Sequence, residues 1–372
     1  MTEKQKLQIG VLFGGRSGEH EVSLMSARSV LGALDPEKYT VIQVGITHAG
    51  DWLAGDDVLE ALQTGKTAQL KPVTCLADPT RKGLHILRKT EQGTVIDYFA
   101  EIDVFLPVLH GTFGEDGTLQ GLFELAGVAY VGAGVLGAAV GMDKAVFKDV
   151  MKANGIPVID GFVVSRTQLQ SQAQAVLDQA EALGAYPLFT KPANLGSSVG
   201  VTKCRSRSDL YEGLLDAARF DRRILIERGI NAREIEVSVL GNDDPVASVP
   251  GEIHPEADFY SYDAKYHDDR SALLIPAPLP AEITALIRET AIKAYRAIDC
   301  AGMARVDFLL DRDTGAFYLN EVNTIPGFTQ ISMYPKLWDA SGLPYPQLLD
   351  RLIELALERR RERDQTEWRY ER

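Results

Sequence analysis

The sequence is expected to fold as an α/β protein led by a mainly parallel sheet, on three grounds. Strand-length apolar runs alternate with helix-period segments from the first residues onward, the pattern of strands joined by crossover helices. The 372 residues suffice for two or three domains at about 100 to 200 residues each, every one large enough to bury a core. Apolar residues make up 45% and charged residues 24%, which excludes a disordered or fibrous chain.

Along the chain, a strand over 7–13 leads into a helix over 21–34 and a strand over 39–46. A strand over 104–109, a helix over 119–126 and a short strand over 129–131 continue the alternation. Between 50 and 97 the residues are polar and irregular, with Pro72, Pro79 and Gly83, and read as loops or a peripheral excursion. A helix over 143–153 stops at Asn154-Gly155, a C-cap signal that Pro157 follows. A second unit begins near there, with a helix over 168–183 and strands over 187–191 and 199–203 joined by a Gly/Ser loop. A helix over 207–218 and a strand over 223–227 complete it. After Gly229 the pattern turns β-rich, with strands over 234–240, 247–249, 303–310 and 316–322. Helices over 281–298 and 345–359 interrupt or close this third unit, and the last dozen residues, rich in Arg and Glu, read as a frayed solvated end.

A net charge of −13 disfavours a nucleic-acid or other polyanionic partner, so any phosphate binding must come from a local basic site. No apolar run approaches the roughly 18 residues of a membrane span, and the start of the chain has neither the pattern of a signal peptide nor that of an anchor. Cys75, Cys204 and Cys300 are odd in number and far apart, which disfavours disulfides and thiolate zinc sites and fits a reducing cytoplasm. Gly132-Ala-Gly134-Val-Leu-Gly137 satisfies GxGxxG, but no suitably placed acid follows on a clear strand, so a Gly-rich strand-to-helix turn is the better reading than a nicotinamide or flavin site. Gly65-Lys66-Thr67 lacks the earlier glycine of a Walker A loop, since Glu60 stands there.

Three constellations carry chemistry. Lys191-Pro-Ala-Asn-Leu-Gly196-Ser197-Ser198-Val-Gly200 joins two apolar strands and can turn backbone N–H groups and hydroxyls onto phosphates. A plain hairpin turn is the alternative, but it would not call for a lysine ending an apolar strand. In the second, a five-residue turn over 312–316 pairs Asp307 with Glu321 and Arg305 with Asn323, placing all four on one face. Facing carboxylates repel and gain nothing as structure, whereas two carboxylates and an amide oxygen suit a hard cation such as Mg²⁺; a solvent-facing polar hairpin surface is the alternative, against which both acids stand among apolar residues. Third, Gly14-Gly15-Arg-Ser17-Gly-Glu19-His20 follows a strand of the first sheet and reads equally as a ligand turn or as mere helix capping, but His110-Gly-Thr-Phe-Gly-Glu115 repeats the arrangement at the same edge, where open α/β sheets place ligand groups.

With these residues in hand, the chain resembles the ATP-grasp superfamily and, within it, the D-alanine–D-alanine ligases. The matching segments are FGGRSGEHEVS (13–23), HGTFGEDGTLQG (110–121), MDK (142–144), KPANLGSSVGV (191–201), FYSYDAKY (259–266), ARVDF (304–308) and NEVNTIPGFTQISMYP (320–335), seven in the family's order. The resemblance implies an ATP-grasp fold: an N-terminal α/β domain over 1–132 on the first-substrate side, a central domain over 133–229 with the Gly/Ser loop, a C-terminal domain over 230–360 with the metal ligands and a lid, and a tail over 361–372. ATP would lie between the last two domains. The implied reaction, which serves peptidoglycan precursor synthesis, phosphorylates the carboxylate of one D-alanine and passes the acyl group to the amine of a second.

Residue by residue, the resemblance makes Lys144 and Lys191 phosphate ligands, with Gly196, Ser197 and Ser198 covering the phosphates. Glu227, Arg228 and Ile230 fall in the adenine-binding connection, and Glu234 holds the ribose. Asp307, Glu321 and Asn323 match ligands for two Mg²⁺ ions, with Mn²⁺ as an alternative and a monovalent cation compatible. Glu19 matches the acid that holds the first ammonium, Ser197 and Tyr266 complete a trio with it, and His110 is assigned to the same pocket. Arg305 and the Gly327 N–H would stabilise the oxyanion, while Ser332, the Met333 N–H and Lys265 lie near the second carboxylate and the γ-phosphate. A lid over 251–275 would exclude water, and Tyr266 within it favours an amine as second substrate over D-lactate. A cytoplasmic homodimer is implied as well. Against a nucleotide-binding module without turnover stand Glu19, Arg305 and Ser332, none of which ATP binding alone requires.

Overall fold

The computed structural model describes residues 6–196, 199–254 and 272–367. Ser197, Ser198, Lys265 and Tyr266, with most of the expected lid, lie outside the described residues.

Three sheets organise the chain. The first contains β1 (Leu7–Gly14), β2 (Tyr39–Ile46), β3 (Trp52–Ala54), β4 (Lys71–Cys75), β5 (Leu84–Thr90), β6 (Gly93–Ala100), β7 (Val104–Val108) and β8 (Ala129–Tyr130), in spatial order β6-β5-β4-β3-β2-β1-β7-β8. β1 runs parallel to β2 and β7, and Ile9, Val11, Leu12 and Phe13 are fully buried, as a central parallel strand covered on both faces requires. Of the two readings of residues 50–97, loops or a peripheral excursion, the structure shows the second. These residues form β3 to β6 and the helix Val58–Thr64, extending the sheet by antiparallel pairing. The pattern was hidden because the outermost strand, β6, is mostly exposed and carries no one-sided apolar signal.

The middle sheet orders β9 (Gly161–Ser165), β10 (Leu188–Pro192), β11 (Thr202–Cys204) and β12 (Arg223–Arg228) as β11-β10-β12-β9, all antiparallel. Helices Arg166–Glu181 and Arg207–Phe220 bury Leu169, Val176, Leu210 and Leu214 against one face. Ser165 and Gln168 form a reciprocal capping box that starts the first of these helices, and Ser206 caps the second. The opposite face is left for the site.

The third sheet contains β13 (Ala232–Gly241), β14 (Val246–Ala247), β15 (Gly251–His254), β16 (Ala272–Leu274), β17 (Gly302–Asp311) and β18 (Phe317–Asn323), in order β16-β15-β13-β17-β18 with β14 beside β13. Helix Ala281–Ala297 buries Ile287, Ala291 and Tyr295 against its core. A helix absent from the sequence expectations, Met333–Ala340, follows.

The last helix, Tyr345–Arg363, does more than the expected closing of the third unit. Its stripe of Leu348, Leu352, Ile353 and Leu355 shares one core with Leu240 and Met303 of the third sheet, as a helix closing that unit would, and with Ile9, Val11, Leu106 and Val108 of the first sheet. An apolar stripe shows that a helix face is covered but not which sheet covers it. The helix also continues past residue 360, where a frayed end is expected. Arg359 reaches the Tyr130 and Gly132 carbonyls and lies 4.3 Å from the Tyr130 ring centroid. Among the described residues no helix is long and apolar enough to cross a membrane.

Candidate active site

A cleft of about 1110 Å³ is lined by residues of the middle and third sheets and by the segments that follow β1 and β7 of the first. On the middle sheet, Phe189 of β10 faces Glu227 of β12, and Lys191 is two residues farther along the same face. Lys191 Nζ lies 2.6 Å from one Glu227 carboxylate oxygen, and Lys148 ion-pairs with the other. Burial disfavours the Glu227 charge, but the two ammonium groups outweigh it and hold the carboxyl down at about 2. Lys144 opens helix Lys144–Ala153, whose N-cap Asp143 accepts from the Val146 N–H at 3.0 Å and ion-pairs with Arg223. The cap fixes where Lys144 emerges. Its Nζ donates to the Leu195 carbonyl at 2.6 Å, at the start of the Gly/Ser loop, and stands 3.9 Å from Glu321. Arg228, Ile230 and Glu234 line the same cleft, as does Gly196.

The hairpin of β17 and β18 pairs Arg305 with Asn323 and Asp307 with Glu321, as the sequence suggests. A bulge between Asp307 and Phe308 shifts the rest of the ladder, so Leu310 faces Phe317 and the turn is one residue shorter than expected. Arg305 grips Asp307 with two N–H···O bonds of 2.8 and 2.7 Å, and its Nε lies 2.9 Å from Glu236 on the adjoining strand. Burial disfavours its charge, but the Asp307 and Glu236 carboxylates raise its pKa further, so it stays protonated. The Asn323 side chain sits 2.9 Å from Asp307. Two carboxylates and an amide oxygen on one face suit a hard divalent cation, and turning the Asn323 amide over presents that oxygen. The residues present therefore fit a divalent metal. Glu321 and Asn323 line the cleft, while Asp307 sits just behind, against Arg305.

At the first sheet, Glu19 is 7% exposed beneath two glycines. A Cβ on Gly111 would lie 2.4 Å from its Oε2, and one on Gly196 2.8 Å. Ser17 donates to the His110 carbonyl at 2.6 Å and accepts from the Glu19 N–H at 3.2 Å. His110 is fully enclosed, its ring nitrogens 3.1 Å from the Ser26 hydroxyl and 3.1 Å from the Ile325 carbonyl; burial lowers its pKa. Gly327 and Ser332 are neighbours, since a Cβ on Gly327 would meet the Ser332 hydroxyl at 3.1 Å. Ser332 is the N-cap of helix Met333–Ala340, so the Met333 N–H belongs to the open first turn at the cleft wall.

Two site residues escape the sequence reading, and so do the partners of a third, Glu115. Glu115 accepts from the Gly111 N–H at 2.7 Å and the Ile325 N–H at 3.3 Å, tying the first sheet to the segment that leads to Gly327. Burial, with the nearby Glu19 charge, raises its pKa to about 8. Glu236 and Lys148 complete the pairs of Arg305 and Glu227. Glu236 could have been found, because it alternates with Glu234 along β13; Lys148 could have been found one helical turn after Lys144.

Family models described as D-ala D-ala ligase N-terminus and C-terminus match residues 8–133 and 150–354. A protein of Heliobacterium modesticaldum named D-alanine–D-alanine ligase is 52% identical over 358 residues, 96% of each chain. The solved D-alanine-D-alanine ligase from Coxiella burnetii superposes with a TM-score of 0.82 at 38% identity, covering 97% of each chain. The VanG D-Ala:D-Ser ligase from Enterococcus faecalis superposes with a TM-score of 0.83 at 36% identity, covering 95% of this chain and 100% of that one.

Proposed function

The chain belongs to the D-alanine–D-alanine ligase family, ATP-dependent ligases of the ATP-grasp fold, and from that premise we propose how its cleft joins two D-alanine molecules. Lys144 and Lys191, with Gly196, Ser197 and Ser198, receive the ATP phosphates; Glu227, Arg228 and Ile230 receive the adenine, and Glu234 the ribose. Glu19 holds the ammonium of the first D-alanine beside His110, with Ser197 and Tyr266 completing its surroundings. A carboxylate oxygen of that D-alanine attacks the γ-phosphorus, the bond to ADP breaks, and an acyl phosphate forms. The amine of the second D-alanine attacks the acyl carbon; phosphate leaves with the former carboxylate oxygen, and the amine loses a proton. Arg305, its guanidinium plane fixed by Asp307 and Glu236, and the Gly327 N–H stabilise the oxyanion between attack and departure. Ser332, the Met333 N–H and Lys265 orient the second carboxylate and the γ-phosphate.

The family uses a divalent metal. Asp307, Glu321 and Asn323 would hold two Mg²⁺ ions, which when bound would supply positive charge to offset that of the phosphates. Separate domains over 1–132, 133–229 and 230–360, the last extended by the final helix returning to the first sheet, and a cytoplasmic homodimer complete the reading. The observation that carries it is the buried Glu19 carboxylate, brought by the segment after β1 into the cleft that Lys144 and Lys191 line. ATP binding alone does not require it.

The test is ADP release from Mg²⁺-ATP with D-alanine, L-alanine, D-serine or D-lactate added, with mass detection of products. Release that needs D-alanine and yields D-alanyl-D-alanine is the expected outcome. ATP binding without release under any condition would overturn it.

A further inference from the structure

We infer that Lys148 is a positioning residue that sets how much of the Lys191 charge is left for phosphate, acting only through Glu227. The inference rests on ATP phosphates lying against Lys191. Lys148 and Lys144 stand four residues apart on one face of helix Lys144–Ala153, so the helix that presents one phosphate lysine also sends an ammonium behind the other.

The geometry is a buried row of three charges. Glu227 is 3% exposed, and its two oxygens are divided between Lys148 on one side and Lys191 on the other. Gly161, opposite Glu227 on β9, leaves no side chain over the pair, and a Cβ there would press on the Glu227 Cγ at 3.1 Å. The Lys148 side chain is 6% exposed and does not line the cleft, whereas Lys191 does. Lys148 therefore has no route to the nucleotide except through the carboxylate.

Two ammonium groups sharing one carboxylate leave a surplus positive charge, which falls on the member that faces the cleft. If Lys148 is removed, the whole Glu227 charge is compensated by Lys191 alone, which is pulled towards the sheet and offers less to an anionic ligand. The same cut does not touch Glu19 or the hairpin acids.

The experiment is a double-substitution cycle on the full-length enzyme, reading KM for ATP, KM for D-alanine and kcat. Lys148→Met is expected to raise KM for ATP by roughly tenfold or more, the scale of one weakened charge-assisted contact, and to leave KM for D-alanine at saturating ATP within about twofold. In the Glu227→Gln background, where no carboxylate remains to compensate, Lys148→Met is expected to change KM for ATP by less than about twofold. That second comparison holds even if the single Lys148→Met chain fails to fold, because it buries no unpaired carboxylate. An unchanged KM for ATP in Lys148→Met, or an equal rise in both backgrounds, would overturn the inference. Wild-type enzyme without D-alanine-dependent ADP release would instead overturn the ligase reading, so the two failures are distinguishable.

Discussion

At the scale of single residues, charge compensation decides what each group can do. Asp307 in the hairpin is held by Arg305 and Asn323 while facing Glu321. Asp307→Asn removes both a proposed metal ligand and the partner that orients Arg305. It should lower kcat by about two to three orders of magnitude and raise the Mg²⁺ concentration needed for half-maximal rate. A Mg²⁺ titration of the purified variant reads both. Glu115 gives a stability signature instead. Its folded pKa is raised from 4.5 to about 8, so its contribution is fully present below the unfolded value and is lost as pH rises through about 8. Glu115→Gln cannot titrate. Thermal denaturation from pH 4.5 to 8 should therefore show wild type losing ground steadily against this variant, and parallel curves would contradict the assignment.

At the scale of elements, turns and strand registers bring the site together. Gly111 has φ +75°, and a side chain there would strike Glu19. Gly111→Ala should raise KM for the first D-alanine by about tenfold or more while leaving KM for ATP nearly unchanged, which initial-rate kinetics with each substrate varied would show. The β17–β18 hairpin explains how much of the site was legible in advance. Alternation alone puts Arg305, Asp307, Glu321 and Asn323 on one face. Two departures, a shorter turn and a bulge after Asp307, offset one another, so the pairing holds at the acids although it slips near the turn. Glu115 was legible only as part of a ligand-edge turn and Lys148 only by its spacing from Lys144; their partners were not legible, because each is brought by a distant segment: Ile325 for one, Glu227 for the other. Strands β3 to β6 were missed for a different reason: β3 and β4 are only three and five residues long, and the half-solvated β5 and β6 at the sheet edge lose the apolar alternation that identifies a strand.

At the scale of the whole molecule, the cleft exists because three sheets meet and because the chain's end returns to its beginning. Helix Tyr345–Arg363 fills the core beneath β1 and β7, and Arg359 fastens it to the Tyr130 and Gly132 carbonyls where the first sheet gives way to the next unit. Arg359→Ala should cost about 1–3 kcal/mol of stability through the lost ring and carbonyl contacts, seen as a lower Tm, with kcat changed by less than about twofold. A loss of activity without a loss of Tm would show that the fastening does something other than hold the helix.

The central claim is that this cleft makes a peptide bond by passing a D-alanine carboxylate through an acyl phosphate. The most direct measurement supplies D-alanine carrying a heavy oxygen isotope in its carboxylate, with Mg²⁺-ATP, and follows the label by mass spectrometry. The account predicts one labelled oxygen in each inorganic phosphate released and one fewer in the newly formed amide of D-alanyl-D-alanine. Dipeptide formed with unlabelled phosphate would contradict it.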